Sequence, residues 1–115
     1  MRTQRNAWSR RLAVLVLSSV VAGCAGVPLP REGLTDPGAL LYNGYVRPEI
    51  NCYLCHNGDG KGARGPSLAR EIPKMTDEKI VGKIKGARGR MPKFASKMSE
   101  EEMVQVAHWL KATFP

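Results

Sequence analysis

The chain has 115 residues, 18 of them basic and 10 acidic, and its formal net charge is +8. This length suits one small domain and is too short for two, and an apolar content of 43% excludes a wholly disordered chain. Four arginines in the first 23 residues supply half of the excess charge, so the remainder carries only +4 and a nucleic-acid-binding role loses support. Three cysteines cannot all pair within one chain.

Residues 1–23 have the organisation of a secretory signal peptide. Arginines precede an apolar run, Leu12 to Val21, that is shorter than the roughly 18 residues needed to cross a bilayer. The run ends in Val21-Ala22-Gly23-Cys24, which resembles a bacterial lipobox. That resemblance implies that Cys24 becomes the acylated N-terminus and anchors the mature chain to a membrane; the alternative is a free or disulfide-bonded cysteine. Ala25 replaces the aspartate that signals inner-membrane retention in enteric bacteria, which favours the outer membrane.

The next segment is a predicted tether, followed by the start of the domain. Residues 24–35 contain the predicted lipidated cysteine and then prolines and glycines without periodicity, which predicts a flexible connection. Asp36 and Pro37 form a good helix start, since aspartate caps a helix and proline suits its first position. The pattern predicts that this helix continues to Tyr45, within a domain that spans residues 36–115.

Cys52-Tyr53-Leu54-Cys55-His56 is the central motif, because two cysteines at this spacing followed by histidine form the attachment sequence for haem c. The thiols can reach both vinyl groups on one porphyrin edge, and the following imidazole can bind iron. A zinc site would need a second ligand pair, and a thioredoxin-like redox pair would need a βαβ context. A Cys52–Cys55 disulfide, in a haem-free lipoprotein, is possible in an oxidising compartment but leaves His56 unexplained.

A glycine-rich loop follows the motif, over residues 57–68. Asn57 and Asp59 suggest a calcium loop, but Lys61 and Leu68 stand where such a loop needs oxygen ligands. The glycines are better explained by tight backbone turns beside a flat cofactor.

Two further helices are predicted in the second half of the chain. Thr76 caps the shorter one, which ends just before Gly86. Ser99 and Glu102 form a capping box for a helix that runs to about Thr113. Its apolar stripe recurs at helical spacing: Met103, Val106, Ala107, Leu110 and Phe114. No alternating strand pattern is present, so the predicted fold class is all-α.

The candidates for a second iron ligand are four methionines and one histidine: Met75, Met91, Met98, Met103 and His108. Met91 is favoured because it stands in a loop that Pro92 and neighbouring glycines constrain, whereas Met103 belongs to the apolar stripe. Methionine opposite histidine raises the reduction potential and closes the iron to small substrates, which favours electron transfer over catalysis.

Basic residues follow one another without an intervening acid from Lys83 to Lys97: Lys83, Lys85, Arg88, Arg90, Lys93 and Lys97. Around an exposed haem edge, this charge would speed the encounter with an acidic redox partner. A solvated surface and attraction to anionic lipid are the alternatives.

The chain resembles the class I c-type cytochromes over residues 36–115. The resemblance is carried by the haem motif, the turn Gly65-Pro66-Ser67-Leu68, the Met91-Pro92 pair, and Gly38 and Trp109 at the close contact of the first and last helices. It implies a small all-α fold of three principal helices and glycine-rich loops around one covalently bound haem c.

The same resemblance implies roles for individual residues. Cys52 and Cys55 would hold the haem, His56 and Met91 would bind the iron, and the Pro66 carbonyl would accept a hydrogen bond from His56. The expected function is a periplasm-facing, lipid-anchored monohaem electron carrier, not an enzyme, that serves redox proteins and no nucleic acid. The alternative is a haem peroxidase or gas sensor with an open or labile sixth site.

Overall fold

The computed structural model describes residues 25–86 and 89–115. The predicted signal peptide, Cys24 and Arg88 therefore lie outside the described residues. The elements in chain order are α1 (Pro37–Tyr42), α2 (Tyr53–His56), α3 (Leu68–Glu71), a 3-10 turn (Ile72–Lys74), α4 (Asp77–Gly86) and α5 (Glu100–Thr113). Across both described ranges there is no β-strand, and the all-α prediction is confirmed.

The helix α1 begins as predicted but ends earlier. The Asp36 carboxylate accepts hydrogen bonds from the Gly38 and Ala39 amides at 2.8 and 3.2 Å. The helix stops at Tyr42 rather than at Tyr45, because Gly44 takes a φ of +76°. Glycine adopts this left-handed conformation without the steric cost of a Cβ, and so it terminates the helix.

The caps of α4 and α5 also match the prediction. The Thr76 hydroxyl accepts from the Lys79 amide at 3.2 Å. Ser99 and Glu102 form both bonds of the capping box. The apolar stripe of α5 is buried except at its last member, Phe114, which is half-buried: Met103, Val106, Ala107 and Leu110 are all at most 4% exposed. The helix α4 includes Gly86, one residue more than predicted.

The crossing of α1 and α5 is close because Gly38 has no side chain. A Cβ on Gly38 would lie 2.1 Å from the Gln105 carbonyl oxygen and 2.7 Å from the Trp109 Cβ, so the predicted contact between Gly38 and Trp109 is confirmed. Beside it, the rings of Tyr42 and Trp109 lie 4.9 Å apart at an interplanar angle of 52°. This crossing fixes the position of α1 relative to α5.

Residues 26–29, here called the N-terminal strap, are bound to the domain, which corrects the expectation that they belong to a flexible tether. The Gly26 amide donates to the Leu54 carbonyl at 2.8 Å, and the Gly58 amide donates to the Val27 carbonyl at 2.9 Å. The strap is fixed because its own amides also find partners in the side chains of Asn57 and Asn43, each at 2.8 Å.

In the part of the chain that the structure describes, no helix has the length and apolar character required to traverse a bilayer.

Candidate haem-binding site

The two cysteines and the histidine of the motif lie on the short helix α2 or directly before it. Cys52 directly precedes α2, and its carbonyl accepts from the His56 amide at 3.0 Å. The sulfur atoms of Cys52 and Cys55 are not joined to each other. Burial raises the pKa of the Cys52 thiol to about 12, whereas Cys55 is an exposed residue. Because their sulfur atoms are not joined, both cysteines can form bonds to another group.

The glycine-rich loop folds back onto the end of α2. The Cys55 carbonyl accepts from the Ala63 and Gly65 amides at 3.0 and 2.7 Å, and the His56 carbonyl accepts from Gly62 at 2.9 Å. These bonds satisfy carbonyls that a helix end leaves without partners. Gly62 has a φ of +98°, and a Cβ on Gly65 would lie 3.0 Å from the His56 ring. The loop needs glycine at both positions to hold the histidine closely.

Asp59 holds the first turn of this loop. Its carboxylate accepts from the Lys61 amide at 2.9 Å and from the Asn57 side chain at 2.7 Å. These two bonds, the Lys61 amide first, lower the pKa of the Asp59 carboxyl. The Asp59 carboxylate therefore acts as a turn-forming group, as aspartate commonly does.

The imidazole of His56 is oriented by the Pro66 carbonyl. His56 Nδ1 lies 2.9 Å from the Pro66 carbonyl oxygen, and the residue is only 8% exposed. A carbonyl oxygen can only accept, so Nδ1 carries the proton and Nε2 is left with its lone pair. The hydrogen bond that the resemblance implies is present, and it fixes both the ring orientation and the tautomer that can ligate a metal.

A cavity of about 1170 Å³ adjoins the motif. It exceeds the roughly 300–1,000 Å³ of most small-ligand pockets, and interiors of small domains do not leave packing voids of this size. Its lining is mainly apolar and comes from every helix of the domain. The larger apolar and aromatic members are Tyr42, Leu68, Ile72, Met75, Ile80, Ile84, Met91, Pro92, Phe94, Val106 and Leu110.

The structure brings five of the predicted site residues to this one cavity: Cys52, Cys55, His56, Pro66 and Met91. Met75 also lines it, so two methionines face the same space. Met98 and Met103 are buried in the core and do not line the cavity. His108 is exposed, and its Nε2 lies 3.3 Å from an Asp77 carboxylate oxygen in the groove between α4 and α5.

Among the residues that the structure describes, four basic residues and one acid line the cavity: Arg64, Lys79, Lys83, Arg90 and Glu71. Sequence reasoning included Lys83 and Arg90 but missed Arg64 and Lys79. Lys79 stands four residues before Lys83, which places both on one face of α4, and this helical spacing was the available signal. Lys85 differs from its neighbours because its ammonium lies 2.9 Å from a Glu100 carboxylate oxygen.

Tyr42 is a further residue of the site that sequence reasoning missed. Its hydroxyl donates to the Asn57 carbonyl at 2.6 Å, and thereby joins α1 to the loop after His56. Burial raises the pKa of this phenol well above its usual range. Tyr42 remains a neutral hydrogen-bond donor in the wall of the cavity.

These features fit a porphyrin. Apolar side chains surround a space of the required size, thiols stand at its edge, and a buried imidazole is held in its metal-ligating tautomer. The fold and the site therefore define a small helical protein that binds haem through cysteine, in the manner of a c-type cytochrome.

The family described as cytochrome c oxidase, cbb3-type, subunit III, matches residues 34–110, and the chain belongs to this family of c-type cytochromes. The chain is also 31% identical over 107 residues to cytochrome c-551 of Bacillus subtilis (strain 168), an alignment that covers 87% of this chain and 94% of the relative. The protein is thus a c-type cytochrome that carries electrons, and its cofactor is one covalently bound haem c.

Two solved structures share the fold. One is the c-type cytochrome NirC, with a TM-score of 0.52 and 21% identity over 69% of this chain and 91% of that chain. The other is cytochrome cL from Hyphomicrobium denitrificans, with a TM-score of 0.51 and 23% identity over 68% of this chain. The match spans about half of the cytochrome cL chain, 49%. The small cytochrome c fold predicted from the sequence is confirmed.

Proposed function

We propose that the protein is a lipid-anchored monohaem cytochrome that faces the periplasm and carries single electrons between redox partners, without catalysing a reaction itself. One observation carries the proposal: the two cysteines, the oriented His56 and Met91 all border one apolar cavity of about 1170 Å³. The anchor is the acylated Cys24, and Ala25 after it favours the outer membrane.

In this proposal, Cys52 and Cys55 would hold the haem through thioethers, and His56 and Met91 would bind its iron. Haem c supplies an iron that alternates between its ferrous and ferric states. The Pro66 carbonyl holds the ring of His56 at the cavity with Nε2 unprotonated and increases the basicity of the ring. The apolar lining excludes water and, together with the thioether ligand, favours the reduced state.

Substitution of the two cavity methionines tests the iron ligand. Met91→Leu should abolish the weak far-red band of methionine bound to ferric iron and let cyanide or azide bind much faster. Met75→Leu is the matched control, because Met75 lines the same cavity, and it should leave that band unchanged. If Met75→Leu abolishes the band and Met91→Leu does not, the ligand is Met75. If the wild type lacks the band, the sixth position is open or labile, as in a peroxidase or gas sensor.

Two measurements on wild-type protein test the remaining parts. Intact mass of the protein purified from its native envelope should contain one haem and the acyl groups on Cys24. A potentiometric titration of the visible spectrum should follow a one-electron Nernst curve. A mass without acyl groups contradicts the anchor, and a curve with two separate transitions contradicts a single haem.

The basic residues around the cavity favour acidic redox partners. Arg64, Lys79, Lys83 and Arg90 are all exposed, and like charges around a docking site raise the rate of encounter with an oppositely charged partner. Stopped-flow oxidation by the anion ferricyanide should be slower in the Lys79→Gln/Lys83→Gln variant than in the control Lys61→Gln/Arg70→Gln. The control removes the same charge from two exposed residues that do not line the cavity. The double substitution should reduce the rate by about two- to ten-fold at low salt. An equal rate in all three proteins contradicts a steering role.

A further inference from the structure

The exposed large hydrophobic side chains of the described residues gather around the N-terminal strap. They are Val27, Val46, Tyr45 and Leu54, with exposed fractions of 69, 49, 38 and 36%. We call these four residues the strap-side patch. Such side chains normally scatter singly over a soluble surface, so their concentration in one place indicates an interaction site.

Hydrogen bonds and close contacts connect the segments that carry the four residues. Val27 belongs to the strap, and the preceding Gly26 amide donates to the Leu54 carbonyl. The Tyr45 hydroxyl donates to the Leu29 carbonyl at the other end of the strap. The turn that carries Tyr45 and Val46 also packs on α2, because a Cβ on Gly44 would lie 3.2 Å from the Tyr53 ring.

The strap cannot swing away from this surface without loss of these contacts. A Cβ on Gly26 would lie 1.8 Å from the Tyr53 carbonyl oxygen, and one on Gly58 would lie 2.5 Å from the Leu29 amide nitrogen. The backbones of the strap and of the haem motif are therefore in direct contact. The chain before Gly26 is therefore connected to the domain through a segment that is fixed in place.

Cys24 lies only two residues before Gly26, and an extended chain spans at most about 3.6 Å per residue. The Cα of Cys24 is therefore within roughly 7 Å of the Cα of Gly26. If Cys24 is acylated, as proposed above, this distance holds the strap-side patch at the level of the lipid headgroups. There is too little chain for the domain to turn this surface away from the membrane.

We propose that the strap-side patch inserts into the bilayer interface and fixes the orientation of the domain on the membrane. The inference rests on the proposed acylation of Cys24. Valine and leucine side chains favour the acyl boundary, and tyrosine favours the headgroup level. Arg31, whose guanidinium carbon lies 5.9 Å from the centre of the Tyr45 ring, stands at the rim of the patch and suits anionic headgroups.

This orientation places the haem motif on the membrane side of the domain. Leu54 belongs to the patch, and the next residue, Cys55, lines the cavity. The haem would therefore keep a fixed tilt and height above the lipid. Redox partners that reach it would be those that share the membrane surface.

Hydroxyl-radical footprinting tests the inference on the haem-loaded full-length protein, processed by its host. The acylated wild type is placed in vesicles of phosphatidylcholine with a minority of phosphatidylglycerol and compared with a soluble Cys24→Ser protein. We expect several-fold protection of Val27, Tyr45 and Leu54 in the vesicles. His108, with a side chain that is 64% exposed in the groove between α4 and α5, should be labelled equally in both samples.

A variant separates the patch from the anchor. Val27→Ser/Val46→Ser should retain the acyl mass and sediment with vesicles, but it should lose most of the protection of Tyr45 and Leu54. On supported bilayers it should also lose the linear dichroism of the haem absorption that the wild type shows. The matched control, Ala95→Ser/Ala112→Ser, changes two exposed residues outside the patch and should behave as the wild type.

The contrary results are distinguishable. A wild type without acyl mass contradicts both the proposed anchor and this inference. An acylated, sedimenting wild type whose patch is labelled as strongly as in solution contradicts the inference alone. Protection that appears without vesicles and increases with protein concentration assigns the patch to self-association and overturns the membrane assignment.

Discussion

Substitution of Gly38 by alanine tests the packing of the two helices that frame the haem site. The added Cβ would lie 2.1 Å from the Gln105 carbonyl oxygen, about 1.3 Å closer than ordinary contact distance. Because the obstacle is the backbone of α5, α1 must move as a unit and loosen its buried residues, among them Ala39 and Tyr42. Overpacking of this kind costs about 1–3 kcal/mol, and contact with backbone places Gly38→Ala at the upper end.

Part of that cost is offset, because alanine favours helix over glycine by about 0.5–1 kcal/mol. The net loss in free energy of unfolding should be about 2 kcal/mol, and the melting temperature should fall by roughly 8–16 °C for a domain of this size. Thermal unfolding of the haem-loaded protein, followed by far-ultraviolet circular dichroism, measures it. The covalent haem stays attached in both states.

Ala112→Gly is the control for the offset, since Ala112 is exposed on α5. It should cost about 0.5–1 kcal/mol and thereby calibrate the helix-propensity difference in this protein. A Gly38→Ala protein that melts at or above the wild-type temperature would refute the argument from close approach.

Further predictions concern one ion pair and two tyrosines. Glu102 accepts from Arg47 at 2.8 Å and from the Ser99 amide at 3.0 Å, and these bonds, Arg47 first, lower the pKa of its carboxyl to about 2. The contribution of Glu102 to the free energy of unfolding is therefore complete above the ordinary glutamate pKa of about 4.3. It is lost as the pH falls towards 2. Glu102→Gln keeps the capping box and should lower the melting temperature by a few degrees at pH 7 but not near pH 2; a gap equal to that of Glu101→Gln at every pH would contradict the ion-pair contribution. Tyr42→Phe should cost about 1–2 kcal/mol in guanidinium unfolding, because the Asn57 carbonyl loses a buried donor. Tyr45→Phe removes a similar bond at an exposed site where water can replace it, so equal costs for the two tyrosines would show that burial of the bond is not the cause.

The sequence predicted those features that depend on nearby residues. The caps at Asp36, Thr76 and Ser99 are local hydrogen bonds, so the identities of a few adjacent residues suffice to place the helix starts. The haem motif is likewise contiguous, and its spacing alone indicated the cofactor. The Gly38–Trp109 contact is long-range and was available only through the resemblance to a family.

The features that were missed depend on contacts between distant residues. Nothing local distinguishes a strap from a tether, because the partners of residues 26–29 lie at Asn43, Leu54 and Asn57. Likewise, Arg64 borders the same cavity as Lys79 only because the loop after His56 folds back on α2. The early end of α1 reflects a backbone angle at Gly44 that a glycine permits but does not require.

The size of the cavity has a consequence for how the protein is made. A cavity of about 1170 Å³ means that the polypeptide by itself fills only part of its interior, although a buried core packs beside that space. Before attachment of the cofactor, the half-buried residues Leu68, Met75 and Met91 would border a space that water can enter. A chain that leaves the maturation machinery without haem should therefore be loosely folded and quickly degraded. The molecules that persist would then be those that carry the cofactor and can transfer electrons.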